Sequence, residues 1–132
     1  MGYNFGFMRF SRREQFPFHP ARDYDGPVPD FENLETIRDL LLGKGFRPNA
    51  ILPERPQRYW WDTPDGGHLV VSLRDGWIGV DTHAHWEFVH ELYECVRGLY
   101  PDLVIADPQT GELHDGRSFA AFVRESYEER RT

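Results

Sequence analysis

The chain contains one cysteine, Cys95, in 132 residues, so no disulfide can form within it. It has no apolar run approaching the ~20 residues of a membrane-spanning helix. Its first residues, MGYNFGFMRFSRRE, lack the basic segment and uninterrupted apolar stretch of a secretory signal. We therefore expect a cytoplasmic protein that contains no disulfide and does not enter a membrane.

Positive charge is also scarce. Lysine and arginine together number 15 against 22 acidic residues, which gives a net charge of −7, and Lys44 is the only lysine. This balance disfavours long-range attraction to phosphate backbones, so we do not expect nucleic acid as a partner. The length corresponds to about one domain, and we expect a single domain over residues 1–132.

Motifs that would indicate an enzyme are missing. The chain has no Gly-x-Ser-x-Gly elbow, no glycine-rich phosphate loop and no paired-cysteine zinc pattern. Cys95 falls within an apolar stripe at helical spacing, where a small buried thiol is the usual role. We therefore predict no catalytic residue and no cofactor, and an enzyme is the less favoured class.

The stretch from residue 58 to residue 85 carries the clearest structural signal. Asp65-Gly66-Gly67 and Asp75-Gly76 separate three runs rich in Trp, Tyr, Val, Leu and Ile. Asp-Gly between such runs is typical of a β-hairpin turn. Two turns imply three strands, so the sequence predicts a three-stranded antiparallel meander.

The rest of the chain supplies the other elements of an α+β fold. Alternation at residues 3–8 predicts a first strand, and a proline-rich segment at residues 11–30 predicts a long loop. Apolar residues at helical spacing predict helices capped by Asp30 and Ser118 and a third helix from Trp86 to Tyr100. Further short strands are expected near residues 50–52, 103–106 and 112–114. We predict an antiparallel sheet built on the meander, with about three helices packed on one face.

The segment Asp81-Thr82-His83-Ala84-His85 resembles the Asp-x-His-x-His motif of metal-dependent amidohydrolases. That family forms a (β/α)8 barrel of about 250 residues, and too few residues follow His85 for such a barrel. A small metal site of His68, His83 and His85, with Asp62 or Asp81 as an oxygen ligand, is the alternative function. The competing interpretation is that Thr82 caps a helix whose first turn contains both histidines.

Aromatic residues make up 15% of the chain, and two of them are adjacent, Trp60 and Trp61. Because strand residues alternate between faces, a sheet covered on one side can bury only one of the two indoles. The other is expected to be exposed or covered by a loop or partner. We therefore predict a partner-binding surface with Trp60 or Trp61, Asp62 and Tyr24 of the long loop as its anchors.

The segment LVIADPQTGELHD, followed by an amphipathic helix, resembles the end of small bacterial proteins from polymorphic-toxin and immunity loci. This resemblance implies a cytoplasmic protein, monomeric or weakly dimeric, that neutralises a cognate toxin by binding it. It transfers no functional residues, because immunity surfaces differ between cognate pairs. A non-enzymatic immunity-type module with a protein partner is the function that the sequence favours.

Overall fold

The computed structural model describes residues 2–10, 29–48 and 58–129. These residues form three helices and a seven-stranded sheet in which every pairing is antiparallel. The α+β class predicted from the sequence is therefore confirmed. The strands are β1 Tyr3–Arg9, β2 Arg47–Pro48, β3 Arg58–Asp62, β4 His68–Leu73, β5 Ile78–Thr82, β6 Leu103–Asp107 and β7 Glu112–His114, and the helices are α1 Leu34–Gly43, α2 Glu87–Arg97 and α3 Gly116–Glu129.

The sheet has the strand order β2-β3-β4-β5-β1-β6-β7. Strands β3, β4 and β5 pair in succession and form the meander that the two Asp-Gly turns predict. Strand β1 lies between β5 and β6, with Phe5 opposite Val80 and Phe7 opposite Ile105. The first strand of the chain thus joins the meander to the hairpin formed by β6 and β7.

The turn between β3 and β4 depends on a glycine. The Gly66 backbone has a φ of 86°, in the left-handed region that glycine adopts without steric cost. The turn closes with two backbone hydrogen bonds, from the Thr63 N–H to the Gly67 carbonyl and from the Gly66 N–H to the Thr63 carbonyl. Local turn chemistry therefore accounts for the sharp reversal here.

The main core lies between the sheet and the helices. Alternate residues of the strands face α2 and α3, whose apolar stripes close over them. The Tyr93 hydroxyl, inside this core, donates a hydrogen bond of 2.7 Å to the Leu103 carbonyl and so satisfies its own polar atom. Residues of this core that are at most 1% exposed include Phe5, Phe7, Ile37, Leu41, Leu69, Val71, Ile78, Val80, Val89, Leu92, Tyr93, Val96, Ile105 and Phe119.

A second, smaller apolar cluster lies on the opposite face, over β1, β6 and β7. Trp77 packs against it, and its indole lies directly on the backbone of Gly6. A Cβ atom at Gly6 would be 1.9 Å from Trp77 Cζ2, so only glycine allows this approach. The buried members of the cluster are Met8, Phe10, Val104, Ala106 and Leu113.

Helix α1 begins later than the sequence predicts. Its N-cap is Asn33 rather than Asp30. The reason is a contact with the meander, because the Phe31 N–H donates a hydrogen bond of 2.6 Å to the carbonyl of Asp75 in the second turn. Phe31 is 3% exposed, so it anchors the chain to the sheet before the helix starts.

The predicted cap of the second helix is wrong. Thr82 is the last residue of β5, and α2 begins at Glu87 with Trp86 as its N-cap. The Thr82 hydroxyl instead accepts a hydrogen bond of 3.1 Å from the Ala84 N–H, which forms a side-chain turn after the strand.

The third helix, in contrast, starts before its predicted cap, Ser118. Asp115 Oδ1 accepts a 2.8 Å bond from the Ser118 N–H, and the Asp115 N–H donates a 3.1 Å bond to the Ser118 hydroxyl. This reciprocal pair is a capping box in which Asp115 is the cap and Ser118 is the third helical residue.

Two predicted elements fall largely outside the described residues. Only Pro29 and Asp30 of the expected loop at residues 11–30 are described, and the strand expected near residues 50–52 is not. The described edge strand in that part of the chain is β2, whose two residues pair with Tyr59 and Trp60 of β3.

Candidate protein-binding surface

The strands of the meander present a second face, opposite the main core. Tyr59, Leu69, Val71, Ile78 and Val80 are buried beneath the helices, so the residues between them point to the other side. We call this second side the outer meander face. It consists of Arg58, Trp60, Asp62, His68, Val70, Ser72, Gly79, Asp81 and, directly after β5, His83.

Three rings are stacked across the strands of the outer meander face. The Trp60 and His68 rings are nearly parallel, with centroids 4.1 Å apart, and the His68 and His83 centroids are 4.6 Å apart. Antiparallel pairing produces the row, because the His83 N–H donates a 2.9 Å bond to the His68 carbonyl. Trp60 and His68 are half-buried and His83 is exposed, so the edges of the stack are available to a partner.

Asp62 fixes one end of this stack. Its carboxylate accepts a hydrogen bond of 3.0 Å from Trp60 Nε1 and one of 2.9 Å from the Arg47 guanidinium. The side chains of Asp62 and Arg47 are each 68% exposed, so this ion pair lies in solvent and adds little stability. Its effect is to hold the indole in one orientation, which reduces the ordering cost of binding.

The four predicted binding residues separate into three groups. Trp60 and Asp62 lie together on the outer meander face and are hydrogen-bonded to each other. Trp61 lies on the helix side, where it is half-buried against Phe46 and Phe88, with ring centroids 5.5 and 5.9 Å away. Tyr24 is outside the described residues. The two indoles therefore occupy opposite faces, as strand alternation predicts.

The three histidines of the alternative metal site do not converge. His68 and His83 are stacked on the outer meander face, but the His85 ring is stacked on Tyr127 of α3, with centroids 3.7 Å apart. Two residues spaced i, i+2 share a face only on a continuous strand, and here β5 ends at Thr82 and the backbone turns, so His83 and His85 diverge. Over residues 2–10, 29–48 and 58–129, no three His, Cys, Asp or Glu side chains form a group suited to a metal ion.

Asp65 was predicted only as a turn residue, yet its side chain organises the border of the outer meander face. Its carboxylate accepts hydrogen bonds from the Thr63 hydroxyl, from the His85 N–H at 2.9 Å and from the Gly67 N–H at 3.2 Å. These donors, the Thr63 hydroxyl foremost, hold the pKa of Asp65 below its usual value. Asp65 thus ties the first meander turn to the segment that leads into α2.

Comparisons with protein-family models, with curated proteins and with solved structures find no match for this chain. Among the described residues, no helix has the length and apolar character needed to cross a membrane.

Proposed function

We propose that this chain is a non-enzymatic, cytoplasmic protein-binding module, and specifically an immunity-type protein that neutralises a bacterial toxin by direct binding. The observation that carries this proposal is the stack of Trp60, His68 and His83, held beside Asp62 on the face of the meander away from the helices.

The composition of the outer meander face suits contact with a protein. Tryptophan is enriched among the residues that dominate binding energies, because one indole buries a large area for few rotatable bonds. Trp60 is half-buried in the free protein and hydrogen-bonded through Nε1, so it can be covered by a partner without reorganising. A surface that is ordered before binding loses little entropy on association.

Charge favours a basic partner. The chain as a whole carries a net charge of −7, and although Arg58 and the Arg47–Asp62 ion pair offset part of the charge on the outer meander face, the exposed Asp81 there adds to the acidic surface. Long-range attraction between this acidic chain and a basic toxin surface would speed their encounter, whereas the aromatic stack would slow their separation. Blocking a toxin in this way requires no chemistry from the chain.

The test is to express the protein encoded immediately upstream of the gene for this chain, alone and together with this chain, because the proposal requires that neighbour to be toxic when it is expressed alone. We expect this chain to restore growth and to bind the toxin directly in calorimetry. Replacing Trp60 and Asp62 together by alanine should weaken binding by ~2 kcal/mol, or about thirty-fold, and reduce protection. The double variant should lose only ~1 kcal/mol of unfolding free energy, so that it stays folded under the conditions of the binding measurement.

A matched control is the pair Glu91→Ala and Leu99→Ala, which alters exposed residues on and just after α2. This control should bind and protect like the unmodified chain. Equal binding by the two double variants would place the interface elsewhere. Protection of cells without direct binding would contradict the proposal and favour an enzymatic activity.

A further inference from the structure

The only lysine and the only cysteine of the chain are in contact. Lys44 Nζ lies 3.4 Å from Cys95 Sγ, although the two residues are 51 positions apart. Lys44 is the C-cap of α1, and Cys95 lies in the second half of α2. The contact therefore joins the end of one helix to the side of another.

Both side chains are half-buried, which leaves the sulfur open to a small reagent while its surroundings hold the amine beside it. Within the described part of the chain, the Lys44 ammonium forms no ion pair with a carboxylate, so no acidic group there competes with the sulfur for it. A positively charged neighbour and partial exposure are the surroundings in which cysteines react with oxidants.

We propose that Lys44 and Cys95 form a redox-modified pair, in which hydrogen peroxide links the two side chains through a nitrogen–sulfur bond. Lysine offers an amine that can act as a nucleophile once it has lost its proton. The sulfenic acid of cysteine is known to condense with a backbone nitrogen to give a sulfenamide, and in the proposed pair the lysine amine takes the place of that nitrogen. Here the Lys44 amine nitrogen is already in contact with the sulfur.

The reaction balances with one equivalent of peroxide. In the first step a sulfur–oxygen bond forms as the peroxide bond breaks, so that Cys95 becomes a sulfenic acid, loses two electrons and releases water. Lys44 Nζ then gives its proton to solvent and attacks the sulfur. The nitrogen–sulfur bond forms, the sulfur–oxygen bond breaks, and the hydroxide leaves as water with the second amine proton.

The unique lysine provides a direct readout. A lysine-specific protease cuts the denatured, unmodified chain once, after Lys44. We expect peroxide treatment of the folded chain to abolish this cut. The linked peptides that contain Lys44 and Cys95 should together weigh two hydrogens less than the same peptides unlinked. Dithiothreitol should reverse both changes. Oxidation of the two methionines adds oxygen but leaves the cut intact.

Two controls separate the link from simple oxidation. Cys95→Ser should be cut equally well before and after peroxide, and so should the unmodified chain when peroxide is added after denaturation, because the contact exists only in the fold. The proposal is overturned if treated, folded protein is still cut after Lys44, or if Cys95 only gains oxygen or forms a disulfide between two chains.

Discussion

The two faces of the meander are formed by alternate residues of the same three strands, yet different neighbours complete them. On the helix side, Leu69, Val71 and Val80 are fully enclosed because α1, α2 and α3 exclude water. On the outer meander face, Trp60 and His68 cover each other by stacking between strands, and their edges stay accessible. One face therefore stabilises the fold by burial, whereas the other presents an ordered surface at small energetic cost.

The largest expected effect lies on the helix side. Leu92→Ala should lower the free energy of unfolding by ~2 to 5 kcal/mol, because Leu92 is 1% exposed and its loss leaves a cavity. Urea denaturation measures this change. The neighbouring Glu91→Ala, on the exposed side of the same helix, is the control and should change stability by less than ~0.5 kcal/mol. Similar midpoints for the two variants would mean that α2 does not pack as described.

A smaller effect is expected where Trp77 covers β1. Gly6→Ala should cost ~1 to 3 kcal/mol, because the new methyl group displaces the indole from the apolar cluster. Gly79, opposite Gly6 in the ladder, is the control, since a Cβ there would lie 3.6 Å from Trp77 Nε1, an ordinary contact. Gly79→Ala should change stability by less than ~0.5 kcal/mol. Tryptophan emission should shift to longer wavelength for the first variant only.

Tyr93→Phe tests the hydrogen bond inside the main core and should cost ~1 to 2 kcal/mol, because the Leu103 carbonyl loses its donor. Burial raises the pKa of Tyr93 from 10.0 to about 12. The unfolded chain therefore releases this proton first, and stability falls as the pH rises from about 10 towards 12. When the pH is raised from below 10.0 into this range, the Tyr93→Phe variant should lose less unfolding free energy than the unmodified protein. An equal loss would mean that Tyr93 does not contribute to the pH dependence.

The smallest effect on folding is expected on the outer meander face. Trp60→Ala should cost ~1 kcal/mol or less, because it removes an indole that is only half-buried and that makes one ring stack and one exposed hydrogen bond. Trp61→Ala should cost more, since that indole packs against Phe46 and Phe88. A reversed order would mean that the outer meander face carries stability as well as the proposed binding function.

Local patterns were enough to predict the meander, the strand at the start of the chain and the stripe of α2. Turn residues and periodicity determine these elements over short distances. The start of α1 was misplaced because its cause, the bond from the Phe31 N–H to the Asp75 carbonyl, joins distant parts of the chain.

The candidate site shows the same limit. Alternation correctly placed Trp60 and Trp61 on opposite faces, but the stacking of His68 on His83 depends on the register between β4 and β5. Gly6, a glycine inside the predicted first strand, was the one available signal for the approach of Trp77. Nothing in the sequence pattern indicates which side chain would meet Cys95.

The position of β1 has a consequence for how the chain assembles during synthesis. Its two partners, β5 and β6, are both translated after it, and the second begins only at Leu103. Until then at least one edge of this apolar strand has no partner in the sheet, an exposure that favours aggregation of nascent chains. The meander can form from local contacts alone, but the complete sheet must wait for the last third of the chain.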